Sequence, residues 1–177
     1  MQPSLKMLKL LDEKKIADRV ASLGAEIEKI ARLEPIVLIC VLKGSFIFFS
    51  DLIRSVESDV SCEFLGCSSY GDGTKTSGEV KLTLDLTNSI RGKTVVLVED
   101  IVDTGLTMTY LKDALAARGP KKVLTCALLF KPEALTCKLK IDYVGFEIGK
   151  EFVVGYGLDY QGYYRNLPYV AQVTSMI

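Results

Sequence analysis

The segment Val95 to Tyr110, Val-Val-Leu-Val-Glu-Asp-Ile-Val-Asp-Thr-Gly-Leu-Thr-Met-Thr-Tyr, constrains the fold more than any other part of the chain. Thr94 to Val98 is β-branched and apolar without alternation, the pattern of a strand buried on both faces of a parallel sheet. Met108, Leu111, Ala114 and Leu115 then recur at helical spacing. Glu99, Asp100 and the run Asp103-Thr104-Gly105-Leu106-Thr107 are therefore predicted to occupy the turn between strand and helix. Such a turn offers unpaired backbone N–H groups, the positive end of a helix dipole, a glycine that permits close approach and two hydroxyls. That combination suits a phosphate monoester. Carboxylates repel phosphate unless a metal, a hydroxyl-bearing sugar or a base lies next to it. A ribose 5-phosphate meets this condition, with the loop on the phosphate and Glu99 and Asp100 accepting from the 2- and 3-hydroxyls, directly or through a cation. The alternative that needs no ligand is a strand and a capped helix with surface acids.

The remaining chain supplies the alternation such a unit needs. Glu13 to Leu33 carries Ile16, Val20, Leu23, Ile27 and Ile30 on one helical face, and Pro35 sets its end. Ile36 to Leu42 is the first buried strand, Lys43-Gly44-Ser45 a tight turn, Phe46 to Ser55 a second helix and Val60 to Cys67 the next strand. Ser68 to Gly78 is a long polar insertion, and Val80 to Leu86 alternates as half of a ribbon flanking it. Lys122 to Phe130, Tyr143 to Phe146 and Phe152 to Gly155 are further apolar strand-like runs. This order predicts an α/β doubly wound core, whose ligands bind at the carboxyl ends of the strands. Lys43, Glu99, Asp100 and Lys131 each follow a predicted strand, which brings them to one edge.

With 177 residues the chain fits a single domain, 1–177. Its 22 basic and 22 acidic residues cancel, so no broad cationic field is expected and nucleic acid is not the default partner. Histidine is absent, which removes a His base, Ser-His and Cys-His pairs and His-rich metal sites. Any catalysis must come from Asp, Glu, Lys, Tyr or a metal. Cys40, Cys62, Cys67, Cys126 and Cys137 lack CxxC spacing and read as buried free thiols of a reducing compartment. The N-terminus shows no secretory signal, and Val37 to Phe49 is too short to span a bilayer. A cytoplasmic protein without membrane contact is expected. Phe46 to Ser55 is apolar on several sides, which suggests a homodimer face, with a homodimer or homotetramer as the assembly.

The Val95 segment resembles the 5-phosphoribosyl-1-pyrophosphate (PRPP) signature of the type I phosphoribosyltransferases. That signature is an apolar run, two acids, two apolar residues, Asp, Thr or Ser, Gly, one variable residue, and Thr or Ser. Every position is matched. The resemblance implies the type I fold, a mostly parallel twisted sheet flanked by helices. It implies a core at about 36–146, a small hood from about 1–12 and 147–177, and a mobile loop at about 68–79. The base-binding half is similar to that of the hypoxanthine-guanine phosphoribosyltransferases, through Lys131 after its strand and Glu147 to Asp159, Glu-Ile-Gly-Lys-Glu-Phe-Val-Val-Gly-Tyr-Gly-Leu-Asp. The similarity extends over most of Val41 to Arg165.

The resemblance also implies roles. Glu99, Asp100, Asp103, Thr104, Gly105, Leu106 and Thr107 would hold ribose 5-phosphate, and Asp103 would take the proton of the base. Leu42, Lys43, Gly44 and Arg165 would hold pyrophosphate, with the peptide before the lysine cis in some relatives. Lys131 would donate to the purine O6, Phe152 would stack on the ring, and the Val153 backbone would meet its N2 side. Glu99, Asp100 and Asp159 would bind magnesium, with Asp159, also among the purine-binding residues, holding a second ion with the pyrophosphate. Ser69 and Tyr70 would belong to the closing loop, which keeps water from the reacting centre. A lysine donor fits a 6-oxo group, so a 6-oxopurine and PRPP are the expected substrates. A xanthine enzyme and a regulatory RNA-binding relative are the rival readings. Leu106 and Glu151 stand where some relatives carry basic residues.

Overall fold

Ile36–Leu42 (β2) is a continuous apolar run, and its residues through Val41 are buried, as befits a strand covered on both faces. The computed structural model describes residues 4–69 and 80–176. Around β2 are α1 (Glu13–Ala31), α2 (Phe46–Arg54), β3 (Ser61–Ser69), β4 (Val80–Leu84), β5 (Thr94–Val102), α3 (Leu106–Ala116), β6 (Lys122–Phe130) and β7 (Tyr143–Glu147). The strands form a six-stranded sheet in the order β4-β3-β2-β5-β6-β7. Only the edge strand β4 runs antiparallel to its neighbour. The chain proceeds outward from β2 to β3 on one side and resumes at β5 on the other. The carboxyl ends of β2 and β5 thus flank the topological switch point, where a ligand crevice opens in such sheets.

The helices cover the two faces unequally. Asp12 caps α1 by accepting from the Lys15 N–H at 2.8 Å. Ile16, Val20, Leu23 and Ile27 of α1 join Phe48, Phe49 and Leu52 of α2 in a core on one face of the sheet. Met108, Leu111 and Leu115 of α3 form a second core on the other face. A separate three-stranded antiparallel sheet joins Leu5–Leu11 (β1), Val170–Met176 (β9) and Val153–Val154 (β8), in the order β1-β9-β8.

Several sequence expectations require correction. β5 extends through Val102, because Ile101 and Val102 continue the ladder opposite Leu129 and Phe130. Glu99 and Asp100 are therefore strand residues, and only Asp103 to Gly105 form the turn; Leu106 and Thr107 already belong to α3. Ser68 and Ser69 lengthen β3, opposite Lys81 and Val80, rather than entering the polar insertion. Tyr70 lies outside the described residues. All five cysteines are free, yet only Cys40 and Cys126 are buried; Cys62 is exposed. Among the described residues no helix is long and apolar enough to cross a membrane.

Candidate active site

Strand alternation decides where the adjacent acids point. Glu99 shares its face with Val95 and Leu97 of the α3-side core, and Asp100 shares the other face with Val96 and Val98. Glu99 therefore lines a cavity of about 100 Å³ together with Asp103, Thr104, Gly105 and Thr107. Asp100 instead stands over the turn after β2, where a methyl group on Gly44 would overlap its carboxylate. That turn begins with a cis peptide between Leu42 and Lys43. The buried Ser45 hydroxyl donates to the Val41 carbonyl and ties the turn back to β2.

The phosphate-type loop is shaped from behind. Gly105 has φ of 82°, and a Cβ there would lie 2.8 Å from Leu135 and 2.9 Å from the Cys137 sulfur. Both the left-handed backbone and the lack of room select glycine. The Thr104 carbonyl accepts from the Thr136 N–H at 3.0 Å and the Thr136 hydroxyl at 3.2 Å, with the Cys137 thiol at 3.6 Å. These donors fix the Thr104 carbonyl in place. Gly105 has no side chain to cap α3; the Leu106 N–H donates to the Thr104 hydroxyl at 3.5 Å, and Thr107 and Met108 of the first turn line the cavity. Leu106 opens that turn with its side chain exposed.

Lys131 is 6% exposed, and its Nζ lies 3.3 Å from Asp103 Oδ2. Its backbone N–H donates to Val102 at 2.9 Å, which aligns the loop after β6 with the end of β5. Asp103 remains half exposed at the cavity mouth. Phe152 is 47% exposed and meets Tyr160 edge-on, with ring centroids 5.9 Å apart. Its carbonyl accepts from Val173 at 2.8 Å, and Val153 is buried in the terminal sheet. The Phe152 face is left open, and an exposed aromatic face suits stacking on a flat ring.

Asp159 and Arg165 form a pair at 2.6 Å, and the other Asp159 oxygen accepts from the Gly162 N–H at 2.7 Å. Arg165 also donates to the Gly157 carbonyl at 2.6 Å. A side chain at Gly157 would overlap the Gly44 carbonyl, so the Arg165 segment lies directly against the turn after β2. Glu151, just before Phe152, folds back over Gly149, and its Oε2 is buried without a hydrogen-bond partner.

Burial pushes the Glu99 carboxyl well above the ordinary carboxylate range, and the adjacent Asp100 charge adds to the shift. Asp100 is raised by burial as well, against the favourable charge of Arg165. Two neighbouring desolvated carboxylates leave this edge short of positive charge. Their oxygens suit a hard divalent cation, which takes one or two protein carboxylates and completes its shell with water or substrate oxygens. Among the described residues no group of three or more acidic or cysteine side chains gathers for a metal, so Asp159 is not clustered with Glu99 and Asp100.

The structure thus assembles Lys43, Gly44, Glu99, Asp100, Asp103, Thr104, Gly105, Thr107 and Lys131 around the ends of β2, β5 and β6, with Gly157 and Arg165 closing over Gly44. Sequence reasoning missed Thr136, Cys137 and Gly157 as supports of these loops. No local pattern marks them, because their partners lie tens of residues away.

A family model described as phosphoribosyl transferase domain matches residues 7–161. A hypoxanthine-guanine phosphoribosyltransferase of Aquifex aeolicus is 47% identical over 169 residues, covering 95% of each chain. A hypoxanthine phosphoribosyltransferase of Haemophilus influenzae is 42% identical over 167 residues, covering 93% of each. Among solved structures, a hypoxanthine-guanine phosphoribosyltransferase of Bacillus anthracis superposes with a TM-score of 0.90 at 46% identity, over 96% of this chain and 99% of that one. The chain belongs to the phosphoribosyltransferase family, in the group of the hypoxanthine-guanine enzymes.

Proposed function

We propose that the protein is a purine salvage enzyme that transfers the 5-phosphoribosyl group of PRPP to hypoxanthine or guanine, giving IMP or GMP and pyrophosphate. The observation that carries this reading is the Lys131–Asp103 pair, 3.3 Å apart at the mouth of the phosphate-type cavity. It sets a buried donor for a purine 6-oxo group next to an acceptor for the ring proton. The names of the relatives support the same two bases.

In this reading the Thr104–Thr107 loop and the start of α3 hold the 5-phosphate, while Glu99 and Asp100 steady the ribose hydroxyls. Lys43, Gly44 and Arg165 receive the pyrophosphate. Lys131 donates to O6, the Val153 backbone meets the N2 side, and the exposed face of Phe152 stacks on the base. The purine nitrogen attacks C1 of PRPP as the C1–pyrophosphate bond breaks, with oxocarbenium character on the ribose. Asp103 accepts the base's proton. Glu99 and Asp100, with Asp159 at the pyrophosphate side, would hold magnesium, which when bound offsets charge on the leaving pyrophosphate. Free thiols in all five cysteines fit a cytoplasmic enzyme, and the exposed Phe46 at the start of α2 supports a homodimer or homotetramer.

The test is pyrophosphate release from PRPP and magnesium with hypoxanthine, guanine, xanthine, adenine or uracil offered singly. Release with hypoxanthine or guanine is expected. Release with xanthine alone would move the assignment to a xanthine enzyme, and release with none would defeat the enzyme reading.

A further inference from the structure

We infer that the hydrogen bond between Tyr156 and Asp51 is a positioning contact for the pyrophosphate side of the site, joining the turn after β8 to α2 so that Arg165 and Gly44 keep their register. The inference rests on the proposed reading, in which Arg165 and the Lys43-Gly44 turn receive pyrophosphate.

The Tyr156 hydroxyl donates to Asp51 Oδ2 at 2.6 Å, and the residue is 6% exposed. The hydroxyl is the buried end of this bond, Asp51 being 36% exposed and paired through its other oxygen with Arg54, and a hydrogen bond to a carboxylate is stronger than a neutral one. Tyr156 also has φ of 49°, a conformation that bulky residues rarely adopt. Its N–H donates to the Leu167 carbonyl at 2.8 Å, so the backbone and the hydroxyl are both anchored. Burial and the Asp51 charge push the hydroxyl upward from its ordinary range, which keeps the donor proton in place.

The next residue transmits this placement. Gly157 lies against the Gly44 carbonyl so closely that no side chain fits. Its N–H donates to the Arg165 carbonyl at 3.0 Å, and its own carbonyl accepts from the Arg165 guanidinium at 2.6 Å. Arg165 in turn holds Asp159. One continuous set of contacts therefore runs from α2 through Tyr156 and Gly157 to the turn after β2 and to Arg165. The 5-phosphate loop is built separately, on β5, α3 and the Thr136 segment.

Tyr156→Phe keeps the ring and removes only the hydroxyl. In the reverse reaction its KM for pyrophosphate should rise about tenfold, equivalent to ~1.4 kcal/mol, while its KM for IMP stays within about twofold. Asp51→Ala should reproduce the effect, Asp51→Asn, which keeps an acceptor, should restore it, and the double variant Tyr156→Phe/Asp51→Ala should be no worse than either single one. Unchanged pyrophosphate KM in both single-loss variants overturns the inference. So does a parallel rise in both KM values with a fallen melting temperature, the mark of a contact that serves only the fold. Wild-type protein without turnover in either direction would bring down the enzyme reading itself, which separates that failure from this one.

Discussion

Gly44 leaves to the Asp100 carboxylate the space that any side chain at position 44 would take. A Cβ at position 44 overlaps the Asp100 carboxylate on one side, and Gly157 presses on the Gly44 carbonyl on the other. Gly44→Ala should therefore displace Asp100 and lower kcat/KM for PRPP at least about tenfold, or ~1.4 kcal/mol of transition-state binding. Steady-state kinetics check this, and near-normal turnover would show that the turn has room to yield. Asp103 makes a different kind of claim. It is half exposed and paired with Lys131, so Asp103→Asn preserves shape and a hydrogen-bond acceptor but removes the carboxylate that the proposed reading uses as proton acceptor. Nucleotide binding should survive while turnover falls by roughly 10²–10⁴, the usual span for a lost general base. Isothermal titration with IMP beside a turnover assay separates the two effects.

At the scale of elements, α1 is held to the chain after α2 by one carboxylate. Glu28 accepts from the backbone N–H groups of Glu57 and Ser58 at 3.1 and 3.0 Å, and from the Ser58 hydroxyl and Arg32 at 2.8 Å each. The Ser58 backbone bond first, then Arg32, hold its carboxyl at about 2, below the ordinary 4.5. Glu34 is also held at about 2, chiefly by Lys121 and then Thr94. A depressed carboxyl contributes stability that is complete above its unfolded pKa and is lost as pH falls toward its folded one. Melting temperature should accordingly drop as the pH is lowered from 4.5 toward 2, the interval these shifts define. Glu28→Gln should melt lower than wild type at neutral pH and show a shallower acid decline in calorimetry; a parallel decline would assign the acid sensitivity to other groups. α3 is joined to the loop after β6 in a similar way, because the Thr136 N–H and hydroxyl and the Cys137 thiol all address the Thr104 carbonyl before the helix begins.

Over the whole molecule, the six-stranded sheet separates two cores, and α2 is the element that must satisfy both the larger core and the site. Its Phe48 is fully buried, so Phe48→Ala should cost about 3–5 kcal/mol and lower the melting temperature by roughly 10 °C, measurable by calorimetry. A loss below about 1 kcal/mol would mean that the core closes over the gap. The residues themselves determined much of this architecture. β2 and β6 are legible to their last residue because short apolar runs bounded by Pro, Gly and Lys favour a buried strand over a helix, and the PRPP signature marks its loop because a strand, a glycine and hydroxyls must be contiguous to build one. The two acids belong to β5 and not to the turn, which the sequence does not reveal because an acidic strand end looks like a loop without its ladder to β6. β1 and β9 carry only weak alternation, and each becomes a strand by pairing with the other across almost the full length of the chain. Local signals report contacts within a few residues, so chemistry confined to one loop can be read from them. The meeting of Gly44 with Asp100 and Gly157, and of Tyr156 with Asp51, depends on how strands and helices distant in sequence close on one another, and only the tertiary structure decides it.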